Sequence, residues 1–509
     1  MVLKAKHQNP PETHLNNDTN KHLIPNLIEG VLSDPGQHVD NIFSAVWKNL
    51  NVNKLIEQSG FKKRTGLAIT ESVFLLVLWK WVNVPSISKF CQKSLETFTN
   101  AKKDVMYELL KREDIDWRGL NTKIAKTIYQ QRDIASSSLK VYILDDSVKK
   151  RRGKKMEGVS SHFDHTEGRH VMGQQVLTLG LTTEAHFMPL DSQIYVSKTK
   201  AQGLIRAFKD KRSIVSKRYE EATQQTKPEL AKRMLARATR HGLLADYLAA
   251  DAWFGTKPMI QTALSLNLIA VLRMKKNKMK YHIQTPKGKT EALDAKSLYQ
   301  YAVKGEWKKV RGMPYRAVTM DVELDIDQEG QKHPNRIKVQ LLFVRGASGD
   351  DKATVGKKDW ALFLTTDPDM SLSKTLEIYA LRWGIEVYFK EAKQHLGFLK
   401  EQTWTFASHT ASIHLTAIRY LLLVYVKCEN EDLRISDIRS QVNDQVTTLD
   451  FAKRLWQLFR ALISGALDNL NQGIKKSSKA IMDVIDDRVS QFFTQALQLD
   501  TFTLKMEFE

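Results

Sequence analysis

The chain is 509 residues long and carries 78 Lys and Arg against 57 Asp and Glu, a formal net charge of +21. Such a length exceeds one ordinary hydrophobic core and is expected to fold as about two to four domains, while a positive excess spread along most of it favours an extended polyanionic partner, nucleic acid before an anionic membrane. Its 2 cysteines, Cys91 and Cys428, stand far apart and outside any CxxC spacing, which excludes a disulfide framework and a zinc finger and fits a reducing cytosol.

Residues 1–22 are polar and lack the apolar stretch of a signal peptide, and residues 1–37 are expected to be a flexible terminus. From 38 to 136 apolar residues recur at helical spacing between basic turns such as Gly60 to Gly66, which predicts a small helical DNA-binding domain. A helix near Lys102 carrying Lys103, Tyr107, Lys111 and Arg112 suits either a DNA groove or a solvated face. The most apolar runs, Val73 to Trp79 and Leu421 to Val426, are too short to span a bilayer, so no membrane and a cytoplasmic location are expected.

At LKVYILDD the texture turns to a β-branched run ending in two carboxylates, ahead of a basic loop from Lys149 to Lys155. Strand-like runs from Val171 and Ala185 read as an antiparallel meander, followed by helices from Thr199 to His241, a strand ending at Asp251, a helix, and the strand Leu268 to Met274. Over residues 137–274 this is the element order of a ribonuclease-H-like mixed sheet. Residues 275–358 contain alternating runs such as YRAVTMDVELDI and predict a β-rich insertion domain; the core resumes over 359–400 with a strand from Asp359 and a helix from Ser373 to Gln394. Residues 401–509 are helical and a candidate dimer interface. The expected fold class is mixed α+β, an RNase H-like core with a β-rich insertion, flanked by helical N- and C-terminal domains.

Asp146 and Asp251 both stand at predicted strand ends, a position equally common for helix caps and loop residues. Paired across one sheet edge, such acids suit hard divalent cations, which take oxygen ligands and leave room for water and phosphate. In YALRWGIEVYFKEAKQHLGF, Tyr379, Arg382, Glu386 and Lys393 fall at offsets of three, seven and fourteen. On a continuous helix at about 100° per residue they share an arc of about 60°. A carboxylate there completes a metal site and the cations and phenol hold phosphates, although ordinary i,i+4 ion pairs have the same spacing. His162, His165 and His170 are loosely spaced and lack cysteine partners; they suit a DNA path better than a transition-metal site.

The spacing Y-x2-R-x3-E-x6-K, together with ordered Asp, Asp and Glu, resembles the signature of the IS-four family of bacterial insertion-sequence transposases, the DDE enzymes that include the Tn-five type; the resemblance covers about Leu139 to Gly397. It implies that Asp146, Asp251 and Glu386 are catalytic and ligate two Mg²⁺ ions, replaceable by Mn²⁺, and that Tyr379, Arg382 and Lys393 contact the phosphates of the transposon ends. Ser147 favours Asp146 as the first ligand, with its neighbour Asp145 as the alternative. The family's insertion domain carries a Trp that stacks on a flipped base, for which Trp307, among Lys308, Lys309 and Arg311, is the candidate, with a core Trp as the alternative. Arg273 is a further candidate for the phosphate backbone, or a plain strand-edge arginine. The resemblance implies a cut-and-paste transposase acting on double-stranded DNA at the bacterial nucleoid. It would bind terminal inverted repeats as a homodimer, cleave through a hairpin intermediate, and join the 3′ ends to target DNA. A metal-dependent nuclease that cuts without joining, and a non-catalytic DNA-binding protein derived from a transposase, are the rival readings.

Overall fold

The computed structural model describes residues 42–487 apart from 64, 100, 154, 165–167, 198–207, 209, 285–287, 311, 313–314, 328–333, 347–359, 471–478 and 481. The flexible terminus expected over 1–37 and His165 lie outside the described residues. The chain forms two compact units: one comprises Tyr129–Lys211 and Ser216–Lys390, the other the described residues up to Ile128, Arg212–Val215 and those from Glu391 on.

In the first unit the strands are β1 (Val141–Lys150), β2 (Ser160–Asp164), β3 (Arg169–Thr182), β4 (Phe187–Tyr195), β5 (Tyr247–Ala250) and β6 (Ile269–Met274). They continue with β7 (Lys280–Gln284), β8 (Thr290–Asp294), β9 (Lys308–Lys309), β10 (Tyr315–Ile326), β11 (Asn335–Gly346) and β12 (Trp360–Thr365). All belong to one mixed sheet in the order β2-β3-β1-β5-β6-β12-β11-β10-β7-β8, with β4 against β3 and β9 against β10. β1 runs antiparallel to β3 and parallel to β5, which is parallel to β6. The antiparallel meander β1-β3-β4 and the parallel β1-β5-β6 together make the mixed sheet expected from the order of elements along the chain. Its central strands are sealed on both faces: Val141 to Leu144, Leu248 to Ala250 and Ala270 to Leu272 are each 0 % exposed, which explains why they read as unbroken apolar runs and not as alternating ones.

Two features depart from the expectation. The polar run Ser160–Asp164, too hydrophilic to read as a strand, pairs with the first part of β3 and extends its edge. The inserted strands do not close on themselves; β12 pairs antiparallel with β6, and β11 with β12, so the insertion continues the core sheet. Pairing in this way covers the edge that β6 would otherwise expose.

Helices Lys227–Arg240, Lys257–Ser265, Leu372–Ala380 and Trp383–Gln394 pack on this sheet. The first begins at a capping box, in which Thr226 and Glu229 satisfy one another's backbone N–H groups, followed by Pro228 in the first turn. Trp383–Gln394 lies close to β4 because Gly384 has no side chain: a Cβ there would meet the Phe187 side chain at 3.1–3.4 Å. Phe187 also fills the space over Gly180 and packs on Tyr388, with ring centroids 5.7 Å apart. Burying such a ring stabilises by about 1.5–3 kcal/mol, and here it fixes the height of the Glu386 helix above the sheet. Gly255 plays a comparable part after β5, since a Cβ there would stand 2.2 Å from the Arg273 carbonyl oxygen.

The second unit is helical. Helix Phe406–Lys427 is buried on all sides from Phe406 to Val426, the pattern of a core helix. Arg419 sits at its centre, 0 % exposed, and donates to the carbonyls of Val77 at 3.0 Å, Leu396 at 2.8 Å, and Leu76. Leu76 and Val77 lie at the end of helix Ile69–Leu78, where carbonyls have no partner within the helix, so each nitrogen of the buried cation finds an acceptor. The helix expected near Lys102 is observed as Asp104–Lys111; Lys111 pairs with Glu108 at 3.1 Å and Arg112 with Asp114 at 2.6 Å. Among the described residues no single helix is long and apolar enough to cross a membrane.

Candidate active site

The site is set by the register of two parallel strands. Leu144 of β1 pairs with Ala250 of β5, the last pair of that ladder, so the next residues, Asp145 and Asp251, follow it side by side; Asp251 ends its strand as expected, whereas the acids of β1 do not, because β1 runs on to Lys150 along β3. Side chains alternate along a strand, which turns Asp146 to the opposite face. Asp146 accepts from Gln175 Nε2 at 2.6 Å and from Lys227 Nζ at 2.7 Å. Asp145 instead accepts from Arg382 Nη1 at 2.9 Å. Burial, reinforced by the negative charge of Asp251 and opposed by Arg382, pushes the Asp145 carboxyl up to about 7. Sequence reasoning from Ser147 placed Asp146 in this position; the pleat of β1 places Asp145 there.

Glu386 occupies the first turn of helix Trp383–Gln394 and accepts a short hydrogen bond from Arg382 Nη2. Arg382 thus bridges Asp145 and Glu386, carboxylates from two elements, with its own side chain only 17 % exposed. The four signature residues do not lie on one continuous helix. Tyr379 is in the last turn of Leu372–Ala380, and Leu381 and Arg382 form a turn before the next helix starts at Trp383. Arg382 N–H bonds Tyr379 O and Gly384 N–H bonds Leu381 O, three-residue steps that tighten the backbone and break the predicted face.

Tyr379 is 8 % exposed, edge-on to Phe363 at 4.7 Å, with Arg382 5.7 Å from its ring centroid. Burial pushes its phenol up, while Arg382 and Arg273 pull it back, so Arg273 on β6 acts electrostatically on the same cluster. Lys393 lies two helical turns beyond Glu386, about 10 Å along the axis, and is half-buried.

Trp307 is half-buried outside this cluster. Its Nε1 donates to Ala302 O at 3.0 Å and the Arg345 guanidinium lies 4.1 Å over its ring. His162 is buried and shares a 2.9 Å hydrogen bond with Ser160 Oγ; burial and then Lys227 hold its ring down to about 4, and a neutral ring in that place is a packing residue. His170 packs edge-on against Phe163.

Sequence reasoning missed Gln175 and Lys227, the partners of Asp146, and Trp253, whose N–H donates to Asp251 Oδ1 at 2.9 Å. The motif Thr226-Lys-Pro-Glu229 signals a helix start, and Asp251-Ala-Trp-Phe-Gly255 places an aromatic pair and a glycine after a strand end; neither reveals which strand lies opposite.

Asp145, Asp251 and Glu386 offer hard oxygen donors from three separate elements. The repulsion between the two aspartates is of the kind that a divalent cation relieves, so the donor set fits such an ion. Arg382 supplies the positive charge between two of them, and among the described residues no three carboxylate, histidine or cysteine side chains gather around one point. The family model described as DDE superfamily endonuclease matches residues 90–304, and the one described as Transposase DDE domain matches residues 210–422. No protein of curated function matches the chain. The two matches overlap across Asp251 and together run from before β1 to beyond Glu386, and they support a DDE transposase or endonuclease, an enzyme class that acts on DNA and typically uses divalent metal ions.

Proposed function

We propose that the chain is a cut-and-paste DNA transposase, of the IS-four type by its Y-R-E-K spacing, that binds terminal inverted repeats, cleaves the ends and joins the 3′ ends to target DNA. The observation that carries this reading is the side-by-side placement of Asp145 and Asp251 just past the last pair between β1 and β5, with Arg382 linking Asp145 to Glu386. Asp145 replaces Asp146 in the proposed catalytic set, which becomes Asp145, Asp251 and Glu386. These residues would hold the Mg²⁺ or Mn²⁺ ions, two by analogy with the family. Such ions supply Lewis-acid stabilisation of charge on the phosphate and a nucleophile at neutral pH.

The chain's own residues do the rest. Arg382 exchanges a carboxylate for a phosphate oxygen when DNA enters, a trade between two anions that a planar guanidinium makes readily. Arg273, Lys393 and Tyr379 steady the flanking phosphates, and buried Phe187 keeps Glu386 at a fixed height, because in-line displacement at phosphorus depends on positioning. A hairpin intermediate belongs to the same proposal, with Trp307 as the residue that would stack on a flipped base. Pairing of two ends needs a dimer. Helix Ile435–Leu470 supports one, for Phe451, Leu455, Leu458, Phe459, Leu462 and Ile463 line one face and are 37–60 % exposed, a patch of the sort that marks an interface.

The test incubates purified protein and Mg²⁺ with DNA carrying its gene and flanking sequence, beside Glu386→Gln, and maps breaks and joined products. Paired cuts flanking the gene and insertion into a second plasmid, both lost in the variant, are the expected result. Cutting without joining would point to a nuclease, and binding without metal-dependent cutting in either protein to a DNA-binding protein.

A further inference from the structure

We propose that Lys227 is a positioning residue for the candidate catalytic carboxylates, a buried cation that brackets the loop after Asp251 to β1; this rests on the reading of the chain as an enzyme that cuts DNA. The need for a bracket follows from the sheet. The β1–β5 ladder ends at Leu144 and Ala250, and the next residue on each strand is an aspartate, so repulsion between like charges begins where the backbone hydrogen bonds stop. β1 is held beyond this point by β3 on its other side. β5 itself ends at Ala250, and the loop that follows is placed by its own turn and by side chains. Phe254 N–H bonds Asp251 O at 3.1 Å, and the Phe254 ring is buried and meets the Trp253 indole edge-on, with centroids 4.9 Å apart.

Lys227 supplies the tie to β1. It is the first residue of helix Lys227–Arg240, where the capping box at Thr226 fixes the backbone, and it is 7 % exposed, a degree of burial that lysine rarely reaches without a partner. Its Nζ meets Asp146 Oδ2 at 2.7 Å and lies over the Trp253 indole face, 4.2 Å from the ring centroid; the Tyr195 ring at the end of β4 is 5.6 Å away. An ammonium over an indole is attracted by the ring quadrupole, more strongly when it is desolvated. Lys227 is therefore the principal cation on this ring, and the exposed Lys275, at 5.5 Å, the weaker one. Together the contacts close a circuit. Asp146 follows Asp145 on β1, its carboxylate holds Lys227, Lys227 holds the Trp253 ring, and the Trp253 N–H holds Asp251 Oδ1 at 2.9 Å. Lys227 acts on Asp145 and Asp251 through their neighbours, which makes it a positioning residue and not a catalytic one.

The experiment separates positioning from stability through the double variant Lys227→Met with Asp146→Leu, which removes the buried pair whole and leaves no unmatched charge. Cutting of DNA that carries the gene and its flanks, affinity for that DNA, and amide hydrogen exchange are measured on the full chain. The double variant is expected to melt close to wild type and yet to cut on the order of a hundredfold more slowly, the effect of displacing a reacting group by about 1 Å, with DNA affinity unchanged. Its peptide from Asp251 to Thr256 exchanges faster, while Val141 to Leu144 exchanges as in wild type, the mark of a local opening. Lys227→Arg, whose guanidinium can both meet a carboxylate and lie on an indole, retains most of the cutting. Trp253→Leu leaves the Lys227–Asp146 pair in place and is expected to show the same slower cutting and faster loop exchange, which keeps the test open if the double variant does not fold. A folded double variant that cuts as fast as wild type, or a Trp253→Leu loop that exchanges as in wild type, overturns the positioning role and leaves the DNA reading standing. A loss of DNA affinity as large as the loss of cutting also overturns it, for Lys227 would then be a DNA contact. Wild type that neither binds nor cuts DNA overturns both.

Discussion

Asp145 and Asp146 are the same residue type on consecutive positions of one strand, and the two faces of the sheet treat them in opposite ways. Toward one face, Asp145 meets a second aspartate across a parallel register and is pushed up to about 7 by burial and by that charge. Toward the other, Asp146 is matched by an ammonium and an amide, Lys227 and Gln175. One carboxylate is held in repulsion with its neighbour and the other is neutralised. The difference comes from the pleat of β1 and not from the local sequence, and on the proposed reading it divides a reactive role from a structural one. The repulsion of Asp145 by Asp251 is offset only in part by the Arg382 ion pair at 2.9 Å, and perturbation of this kind clusters at functional sites.

The largest effect expected is on chemistry. Asp145→Asn should lower DNA cutting on the order of a thousandfold, about 4 kcal/mol of transition-state stabilisation, while Asp146→Asn should cost less than about tenfold. Cleavage assays with both variants decide the matter, and a reversed order would mean that the two faces have exchanged roles. Next comes the neutral face. Lys227→Met leaves the Asp146 carboxylate, 18 % exposed, without its cation and should destabilise by about 3 kcal/mol in chemical denaturation. Adding Asp146→Leu should recover most of that loss; a single variant as stable as wild type would show that water already satisfies Asp146.

The smallest effect is one of pH. The Asp145 carboxyl has an ordinary value of 3.8 when unfolded and about 7 when folded, so the folded state holds an extra proton between these limits and stability falls as pH rises through them. In metal-free buffer, Asp145→Asn should remove that decline, becoming more stable relative to wild type by about 2 kcal/mol across the window, a figure reduced for partial solvent exposure. Thermal melts that show the same pH dependence for both proteins would remove the distinction between the faces.

The parts of the fold legible in the sequence were those whose burial is symmetrical. β1, β5 and β6 announce themselves as apolar runs because those runs are sealed on both faces, and the acids that follow the runs of β1 and β5 are legible with them, although β1 continues past its acids to Lys150. Register was not legible, because it is fixed by hydrogen bonds between segments roughly a hundred residues apart; with Asp145 and Asp146 adjacent, only the pairing of Leu144 with Ala250 separates them. The break at Leu381 and Arg382 was hidden for a different reason. It contains neither proline nor glycine, and the one local hint, Gly384, has meaning only once Phe187 is known to lie against it. Lys227 was silent because its partner lies 81 positions away.

Gly255 carries a consequence for how substitutions at this site will read. It offers no group to a metal, a phosphate or a base, yet with the Arg273 carbonyl oxygen 2.2 Å from where a Cβ would stand, even alanine requires the backbone to move, and Trp253 and Asp251 move with it. In a saturation library selected for DNA cutting, position 255 should therefore be as intolerant as the carboxylates themselves. Its intolerance would reflect the shape of the loop and not any contact with the substrate.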